Sequence, residues 1–193
     1  ADLFHLLHAR PRRCAAVLRR RAQRACGAQD QGYQITNDIT QEDDVYDFDQ
    51  ILSGDYGHLT SGDGTHDLVY SVYPGFILVQ IGEDNPELSY LYFPENESYV
   101  PWLPPIVADP DDNEVFYFPG TRIWRYSRTS YWSWDSEQWS EQNFSANHAE
   151  YVSALAFSPV NTDQVYAATS WGRMFYSTDH GVTWTQSHNN GPD

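Results

Sequence analysis

The chain has 193 residues, of which 40% are hydrophobic and 16% aromatic, enough apolar material for the core of one ordinary domain. Its formal net charge of −16 at pH 7 argues against a nucleic-acid partner, because such a surface repels phosphate backbones. No apolar run approaches the roughly 18 residues of a membrane-spanning helix, and no signal-peptide core is visible at the N-terminus.

The charge is divided unevenly along the chain. Residues 1–24 hold seven of the 11 basic residues, all arginines, against one acidic residue, whereas residues 25–193 hold four arginines against 26 acids, a net −22. Both cysteines, Cys14 and Cys26, lie within or beside the basic part. We interpret residues 1–26 as a segment outside the folded repeat: a helix, a targeting segment or a non-native leader.

From residue 27 onward the sequence repeats itself. Four glycine-led runs align: GYQIT at 32–36, GFILV at 75–79, GTRIWRYS at 120–127 and GRMFYS at 172–177. The last three follow tyrosine-bearing runs, whose aligned members are Tyr70, Tyr117 and Tyr166. Further upstream lie HLTSGDG, PPIVADP and VSALAFSP, and a fourth run such as EQWSEQ or TWTQS comes after. Short runs of Val, Ile, Tyr and Phe separated by Gly, Pro, Asp and Asn predict β-strands.

Four strands recurring about every 40 to 50 residues predict the blades of a β-propeller. The expected fold is all-β, with four antiparallel strands, A to D, in each blade. The expected units are a partial blade at 27–50, blades near 56–97, 100–141 and 150–187, and a tail at 188–193. About three and a half blades are too few to close a ring, which generally needs at least about four. We therefore expect a fragment whose missing blades belong to the same longer parent chain.

The predicted last hairpin carries STDHGVTW, residues 177–184. This octapeptide resembles the Asp-box of BNR-repeat propellers, a family that includes sialidases, sortilin-type receptors, xyloglucan-degrading endoglucanases and photosystem assembly factors. The resemblance covers residues 27–187 and implies a structural role, in which the aspartate accepts backbone N–H groups, the glycine supplies a positive φ and the tryptophan packs beneath the turn. The residues concerned are Ser177, Asp179, Gly181, Thr183 and Trp184.

A propeller has two faces, one formed by the B–C and D–A loops and the other by the A–B and C–D turns. The resemblance implies that ligands bind the B–C and D–A loops, where the candidate ligand-binding residues are Tyr73, Phe118, Trp171, Trp102 and His148. The third blade lacks the D-x-G turn and has Trp132 and Trp134 instead. These two tryptophans are candidates either for stacking on sugar rings or for packing between blades.

Glycoside hydrolysis needs two carboxylates roughly 5 to 10 Å apart, and Asp30 and Asp63 are the candidate pair. The resemblance to sialidases implies an arginine triad that clamps the substrate carboxylate and an Arg-Ile-Pro motif. This sequence has no Arg-Ile-Pro motif and only four arginines outside the basic segment, so we reject sialidase activity for this chain unless the missing blades carry the triad. Asp109, Asp111 and Asn113 have the spacing of the first part of a calcium loop, but the required glycine and distal glutamate are missing, so turn formation is the preferred interpretation. We expect neither a metal nor a cofactor.

These observations predict a non-catalytic BNR-type propeller that binds a glycan or a protein on its B–C and D–A loops. A secreted or cell-surface bacterial protein is the expected setting. Two alternatives remain open. One is the propeller part of a glycoside hydrolase that acts on a β-glucan-type polysaccharide, and the other is an assembly-factor-like module that binds a polypeptide on the same loops.

Overall fold

The computed structural model describes residues 24–36, 48–64, 67–82, 86–97, 99–145 and 149–187. Within these ranges the regular secondary structure is entirely β. None of these residues forms a helix that could cross a membrane. The strands are β1 (Arg24–Ala28), β2 (Gly32–Thr36), β3 (Asp49–Leu52), β4 (Gly57–Thr60), β5 (Leu68–Tyr73), β6 (Phe76–Ile81), β7 (Glu87–Tyr92), β8 (Val107–Ala108), β9 (Val115–Pro119), β10 (Ile123–Ser130), β11 (Ser133–Gln138), β12 (Val152–Phe157), β13 (Val165–Thr169), β14 (Met174–Ser177) and β15 (Thr185–Gln186).

The strands form four antiparallel sheets, each built from consecutive strands. Sheet 1 has the order β1-β2-β3, and sheets 2, 3 and 4 contain β4 to β7, β8 to β11 and β12 to β15. The predicted all-β fold with four-stranded antiparallel blades and an incomplete ring is confirmed. In sheets 2 to 4 the strands correspond in chain order to A, B, C and D, and β1 to β3 correspond to B, C and D.

Two predicted boundaries differ from the observed strands. Strand β1 begins at Arg24, so residues 24–26 are β-structure and not part of a helix; the rest of the basic segment and the tail at 188–193 lie outside the described residues. Strand β11 begins at Ser133, ahead of the expected EQWSEQ run. A register shift between Arg128 and Ser130 precedes the short turn there, and this turn starts the fourth strand early.

The sheets pack face to face through three apolar clusters, which explains why the middle strands are hydrophobic on both sides. In β5 and β6 almost every residue is buried, because neighbouring sheets cover both faces. The outermost strands β7 and β11 are largely half-buried or exposed. Representative residues are Tyr33 and Leu78 between sheets 1 and 2, Tyr70 and Phe116 between sheets 2 and 3, and Tyr117 and Phe175 between sheets 3 and 4.

One repeated position shows where the stack of sheets ends. Tyr70 and Tyr117 are 0% and 1% exposed because each packs at the junction with the following sheet. The aligned Tyr166 in sheet 4 is 46% exposed. Its cross-strand partner Tyr176 and the nearby Met174 are exposed as well. The far side of sheet 4 is therefore an apolar surface that the described residues do not cover.

Candidate functional site

Strand connections divide the molecule into two faces. The B–C connections (29–31, 74–75, 120–122 and 170–173) and the described parts of the D–A connections (53–56, 93–97, 99–106, 139–145 and 149–151) form what we call the loop face. The A–B and C–D connections form the opposite face, called the turn face. Backbone hydrogen bonds tie each set together: Gly32 N–H donates to the Gly54 carbonyl on the loop face, and His180 N–H donates to the Asp163 carbonyl on the turn face.

The octapeptide STDHGVTW forms the β14–β15 hairpin on the turn face. The Asp179 carboxylate accepts hydrogen bonds from the Thr183 N–H (2.8 Å) and the Thr183 hydroxyl (2.6 Å). The Ser177 hydroxyl accepts the Gly181 N–H at 2.9 Å, and Gly181 has a φ of 84°. The Trp184 indole N–H donates to the Gly181 carbonyl at 2.8 Å, and its ring packs against the cluster between sheets 3 and 4. These side chains are occupied in closing the turn.

Hydrogen bonds from Thr183 and Ser177 hold the pKa of Asp179 below its usual range. The carboxylate is therefore ionised near neutral pH and carries no proton to donate as a general acid. The hydrogen bonds of this loop therefore stabilise a turn.

The turn also joins two sheets. His180 Nε2 lies 2.9 Å from Asp109 Oδ2, and Asp109 belongs to the A–B connection of sheet 3. The same carboxylate accepts the Tyr117 hydroxyl at 2.9 Å and the Asp111 N–H at 2.8 Å. The Trp139 indole N–H donates to the His180 carbonyl at 3.0 Å. A nearly buried carboxylate is thereby satisfied from both sides of the junction.

Burial raises the pKa of Asp109, but the hydrogen bonds from His180, Asp111 and Tyr117 outweigh it, and the net pKa lies below the usual value. A folded-state pKa below the unfolded value adds stability above the unfolded pKa, which is lost as the pH falls through the folded pKa. We expect Asp109→Asn to reduce the free energy of unfolding by about 1–3 kcal/mol at pH 7. The free energy of unfolding of the variant should also fall less than that of the unmodified chain as the pH is lowered below about 4.

Urea unfolding followed by tryptophan fluorescence from pH 3 to pH 8 measures this effect. Asp111→Asn is the matched control, because its carboxylate is 59% exposed and lies 4.0 Å from His180. The control should keep the acid dependence of the unmodified chain. Parallel stability curves for the unmodified chain and Asp109→Asn would contradict the assigned role of Asp109.

The calcium-loop candidates Asp109, Asp111 and Asn113 are used by the fold itself. Asp109 accepts the Asp111 N–H in an Asx turn, and the Asn113 side-chain amide donates to Asp63 at 3.1 Å. The Asn113 carbonyl accepts the Tyr70 hydroxyl at 2.7 Å. Asp109, Asp111 and His180 present side-chain atoms within 4.8 Å of one another, but the hydrogen bonds of Asp109 account for this grouping. Turn formation is the role that the geometry supports.

The structure does not bring the candidate catalytic pair together. Asp30 lies in the β1–β2 turn on the loop face, where its N–H donates to the Asp55 carboxylate at 2.7 Å, just ahead of β4. Asp63 was expected on an inner strand, but it lies after the end of β4, on the turn face. The neighbouring Gly62 packs directly against the Asp109 carbonyl, because a Cβ at this position would lie 2.3 Å from that oxygen. The glycine therefore makes room for the backbone of the fold and not for a substrate.

The aromatic ligand candidates have different positions. Trp102 and Trp171 stand exposed on the loop face, as expected, and Tyr73 is half-buried there at the end of β5. Phe118 requires a correction: it belongs to β9 and is fully buried against the core, because both faces of that strand are covered. His148 lies outside the described residues.

The two tryptophans of the third blade also differ. Trp132 is exposed in the β10–β11 turn on the turn face. Trp134 is half-buried and packs against the cluster between sheets 2 and 3, so packing between blades explains it. Its ring lines a groove of about 460 Å³ between β7 and β11, together with Trp124 and Tyr126.

Sequence reasoning missed two tyrosines at the junction of sheets 1 and 2. Tyr56 precedes β4 and Tyr90 lies in β7, and with Tyr73 and Phe76 they form a continuous aromatic cluster. Neither Tyr56 nor Tyr90 belongs to an aligned repeat position, so the repeat pattern had no means of finding them. Their only sequence signal is the high aromatic content of this part of the chain.

A charged pair also lies at the loop-face end of sheet 4. Arg173 donates to both oxygens of Glu150, at 2.9 and 2.7 Å, and to the Phe144 carbonyl. Glu150 is fully buried, and the Arg173 guanidinium lies over the Phe175 ring at 5.2 Å. This arginine, one of the four outside the basic segment, is engaged by the fold itself.

Neither a protein-family model nor a curated protein matches this sequence. Among solved structures, the chain is similar to the β-propeller domain of Cps50 (Swd1) from Myceliophteria thermophila, with a TM-score of 0.57 and 15% identity over 85% of this chain and 52% of that one. It is also similar to the GH74 enzyme of Niastella koreensis, with a TM-score of 0.54 and 12% identity over 87% and 28% of the respective chains. The chain thus spans about half of the first structure and just over a quarter of the second. These similarities show the fold alone: the four sheets are blades of a β-propeller whose ring this chain does not close.

Proposed function

We propose that this chain is part of a non-catalytic β-propeller that binds a protein ligand on its loop face. The observation that carries the proposal is the pair of tryptophans that stand in solvent there, Trp102 at 54% and Trp171 at 55% exposure. Aromatic side chains are enriched at protein interfaces, because each buries a large apolar area at a small cost in side-chain entropy. Exposed tryptophans also stack on sugar rings, so a neutral glycan is the competing ligand.

Charge favours a protein with basic residues over a polyanion. Residues 25–193 carry a net charge of −22, and Asp30 and Asp55 lie on the loop face. Complementary charge speeds the encounter of two proteins and excludes partners of the same sign. An assembly-factor-like module would use the same face for a polypeptide.

The glycoside hydrolase alternative gains no support from the side chains. Its candidate acids, Asp30 and Asp63, lie at opposite ends of β4, on different faces. The similarity to a GH74 enzyme concerns the fold. We therefore propose binding as the function.

The proposal includes the rest of the ring. The exposed apolar side of sheet 4, with Tyr166 and Tyr176, supports further blades, which we assign to a longer parent chain. The hydrogen bonds of Asp179 support an Asp-box type of repeat. A secreted or cell-surface bacterial protein is the proposed setting.

A binding screen with matched tryptophan variants tests the proposed face. Peptide and glycan arrays are probed with the full chain and with Trp102→Ala, Trp171→Ala and Trp132→Ala. Trp132 is the control because it is 50% exposed but lies on the turn face. We expect the two loop-face variants to weaken binding to peptide spots by about tenfold or more, the typical loss at an interface hot spot.

The control variant should bind as the unmodified chain does. Loss of binding in Trp132→Ala with retention in the other two would overturn the assignment of the face. Binding to glycan spots alone would replace the protein ligand by a glycan, and release of sugar from a β-glucan would restore the hydrolase alternative.

A further inference from the structure

The aromatic cluster at the junction of sheets 1 and 2, which we call the aromatic corner, consists of Tyr56, Tyr73, Phe76 and Tyr90. The Tyr73 and Phe76 rings stack with centroids 4.6 Å apart. Tyr90 meets Phe76 edge-on, with centroids 5.3 Å apart and an interplanar angle of 76°. Tyr56 lies behind them, 5.2 Å from Tyr73. The rings therefore form walls at nearly right angles and not a flat platform.

The aromatic corner is open on one side. Tyr56 is buried beneath it, Tyr73 and Phe76 are half-buried, and Tyr90 is exposed. Tyr56 belongs to the D–A connection that also carries Asp55, so this connection borders the aromatic corner. A ligand could thus reach the rings without displacing the core.

Two carboxylates accompany these rings. Asp55 is adjacent to Tyr56 in the chain, and Gly54 lies against the Tyr73 ring, where a Cβ would be 2.7 Å from a ring carbon. Asp55 accepts the Asp30 N–H at 2.7 Å, which holds the exposed Asp30 beside it at a φ of 63°. Among the described residues no side chain donates to the Asp30 carboxylate. The chain segments next to the rings therefore carry two carboxylates.

The phenol groups lie close to one another. Burial, together with the nearby Tyr90 and Tyr73, raises the pKa of Tyr56 to about 12. The Tyr56 hydroxyl therefore stays neutral at physiological pH and offers an oxygen acceptor. The site therefore combines ring faces, phenolic oxygens and carboxylates, and the cation–ring contacts found among the described side chains lie elsewhere. Arg125, Arg128 and Arg173 pair with glutamates in sheets 3 and 4 instead.

This combination suits one class of ligand group. Ring faces attract cations, and several rings around one cation with a nearby carboxylate are the usual arrangement for an ammonium or guanidinium group. An anion would meet the two carboxylates, and a sugar stacks on a flat ring that is open on its whole face. We propose that the aromatic corner, with Asp30 and Asp55, is the subsite that receives a lysine or arginine side chain of the protein ligand. This inference rests on the proposed function and specifies the chemistry of its ligand.

Titration of the full chain with small probes tests the subsite directly. N-acetyl-arginine amide and N-acetyl-lysine amide are compared with the uncharged N-acetyl-norleucine amide, with tyrosine ring signals followed by NMR. We expect the two cationic probes to shift the signals of Tyr73 and Tyr90 with saturation, and the norleucine probe to leave them unchanged. Tyr90→Leu should weaken binding of the arginine probe by about 3- to 30-fold, as expected for the loss of a cation–π contact.

Tyr166→Leu is the matched control, because Tyr166 is 46% exposed, close to the 50% of Tyr90, but lies in β13 of sheet 4, away from the aromatic corner. It should bind the arginine probe as the unmodified chain does. Equal shifts with the norleucine probe would overturn the proposal, and so would binding that is insensitive to Tyr90→Leu, which would indicate diffuse attraction to the acidic surface.

The two proposals fail in distinguishable ways. If peptides bind and Trp102→Ala weakens them while Tyr90→Leu and replacement of their basic residues do not, the binding function stands and the subsite is wrong. If the cationic probes saturate the aromatic corner but no macromolecule binds the loop face, the site binds cations and the proposed function is wrong.

Discussion

Replacing Arg173 with methionine is expected to lower the free energy of unfolding by about 3–5 kcal/mol. The Arg173 guanidinium donates two hydrogen bonds to the carboxylate of Glu150, which is completely buried. Without the guanidinium, the buried Glu150 carboxylate loses two charge-assisted hydrogen bonds, and either keeping it ionised away from water or protonating it costs free energy. Chemical denaturation followed by far-UV circular dichroism measures the change.

Two further variants separate this cause from the loss of packing. Arg125→Met removes an arginine from a partly exposed pair with Glu137, in which the carboxylate is 63% exposed, and should cost about 1 kcal/mol or less. Adding Glu150→Leu to Arg173→Met removes the buried carboxylate and should recover part of the lost stability. Equal losses for Arg173→Met and Arg125→Met would show that burial of Glu150 does not decide the effect.

Replacing Trp184 with alanine is expected to cost about 3 kcal/mol, at the low end for a large aromatic side chain because the residue is only half-buried. Its ring meets Phe144 edge-on, with centroids 5.3 Å apart, and Phe144 is fully buried between sheets 3 and 4. The substitution also frees the Gly181 carbonyl, which accepts the indole N–H. The hairpin and the junction between the sheets should both weaken.

Trp171→Ala is the comparison, because this tryptophan belongs to the same sheet but is 55% exposed in a turn. Its loss should change stability by about 0.5 kcal/mol or less. Thermal unfolding of both variants by far-UV circular dichroism avoids the change in fluorescence that either substitution causes. Equal melting temperatures for the two variants would mean that Trp184 does not hold the junction.

Local pattern was sufficient for the blades. The alignment of Tyr70, Tyr117 and Tyr166 predicted the second strand of three sheets, and the glycine-led runs predicted the third. Such strands can be read from the chain because each must place apolar side chains against two neighbouring sheets, and few other patterns satisfy that requirement. The turn at 177–184 was readable for a similar reason, since its hydrogen bonds join residues at most four positions apart.

The candidate site was harder to predict from the sequence than the blades were. Tyr56, Tyr73 and Tyr90 come from three different connections and strands, and only the packing of sheets 1 and 2 brings their rings together. The separation of Asp30 from Asp63 has the same origin, because the two residues follow strands that end on opposite faces. Phe118 was assigned to a loop, but β9 extends one residue beyond it, and both faces of that strand are covered by the core.

Local sequence pattern is therefore enough to predict the β-rich repeat, the four-stranded unit and the hairpin that closes the last sheet. Backbone hydrogen bonding, strand periodicity and turn chemistry act over a few residues, so the order of neighbouring side chains is sufficient to specify them. The packing of the sheets against one another decides which aromatic rings are buried, which are exposed to solvent and which carboxylates share a face. These properties depend on contacts between sheets that lie about 40 to 50 residues apart in the chain.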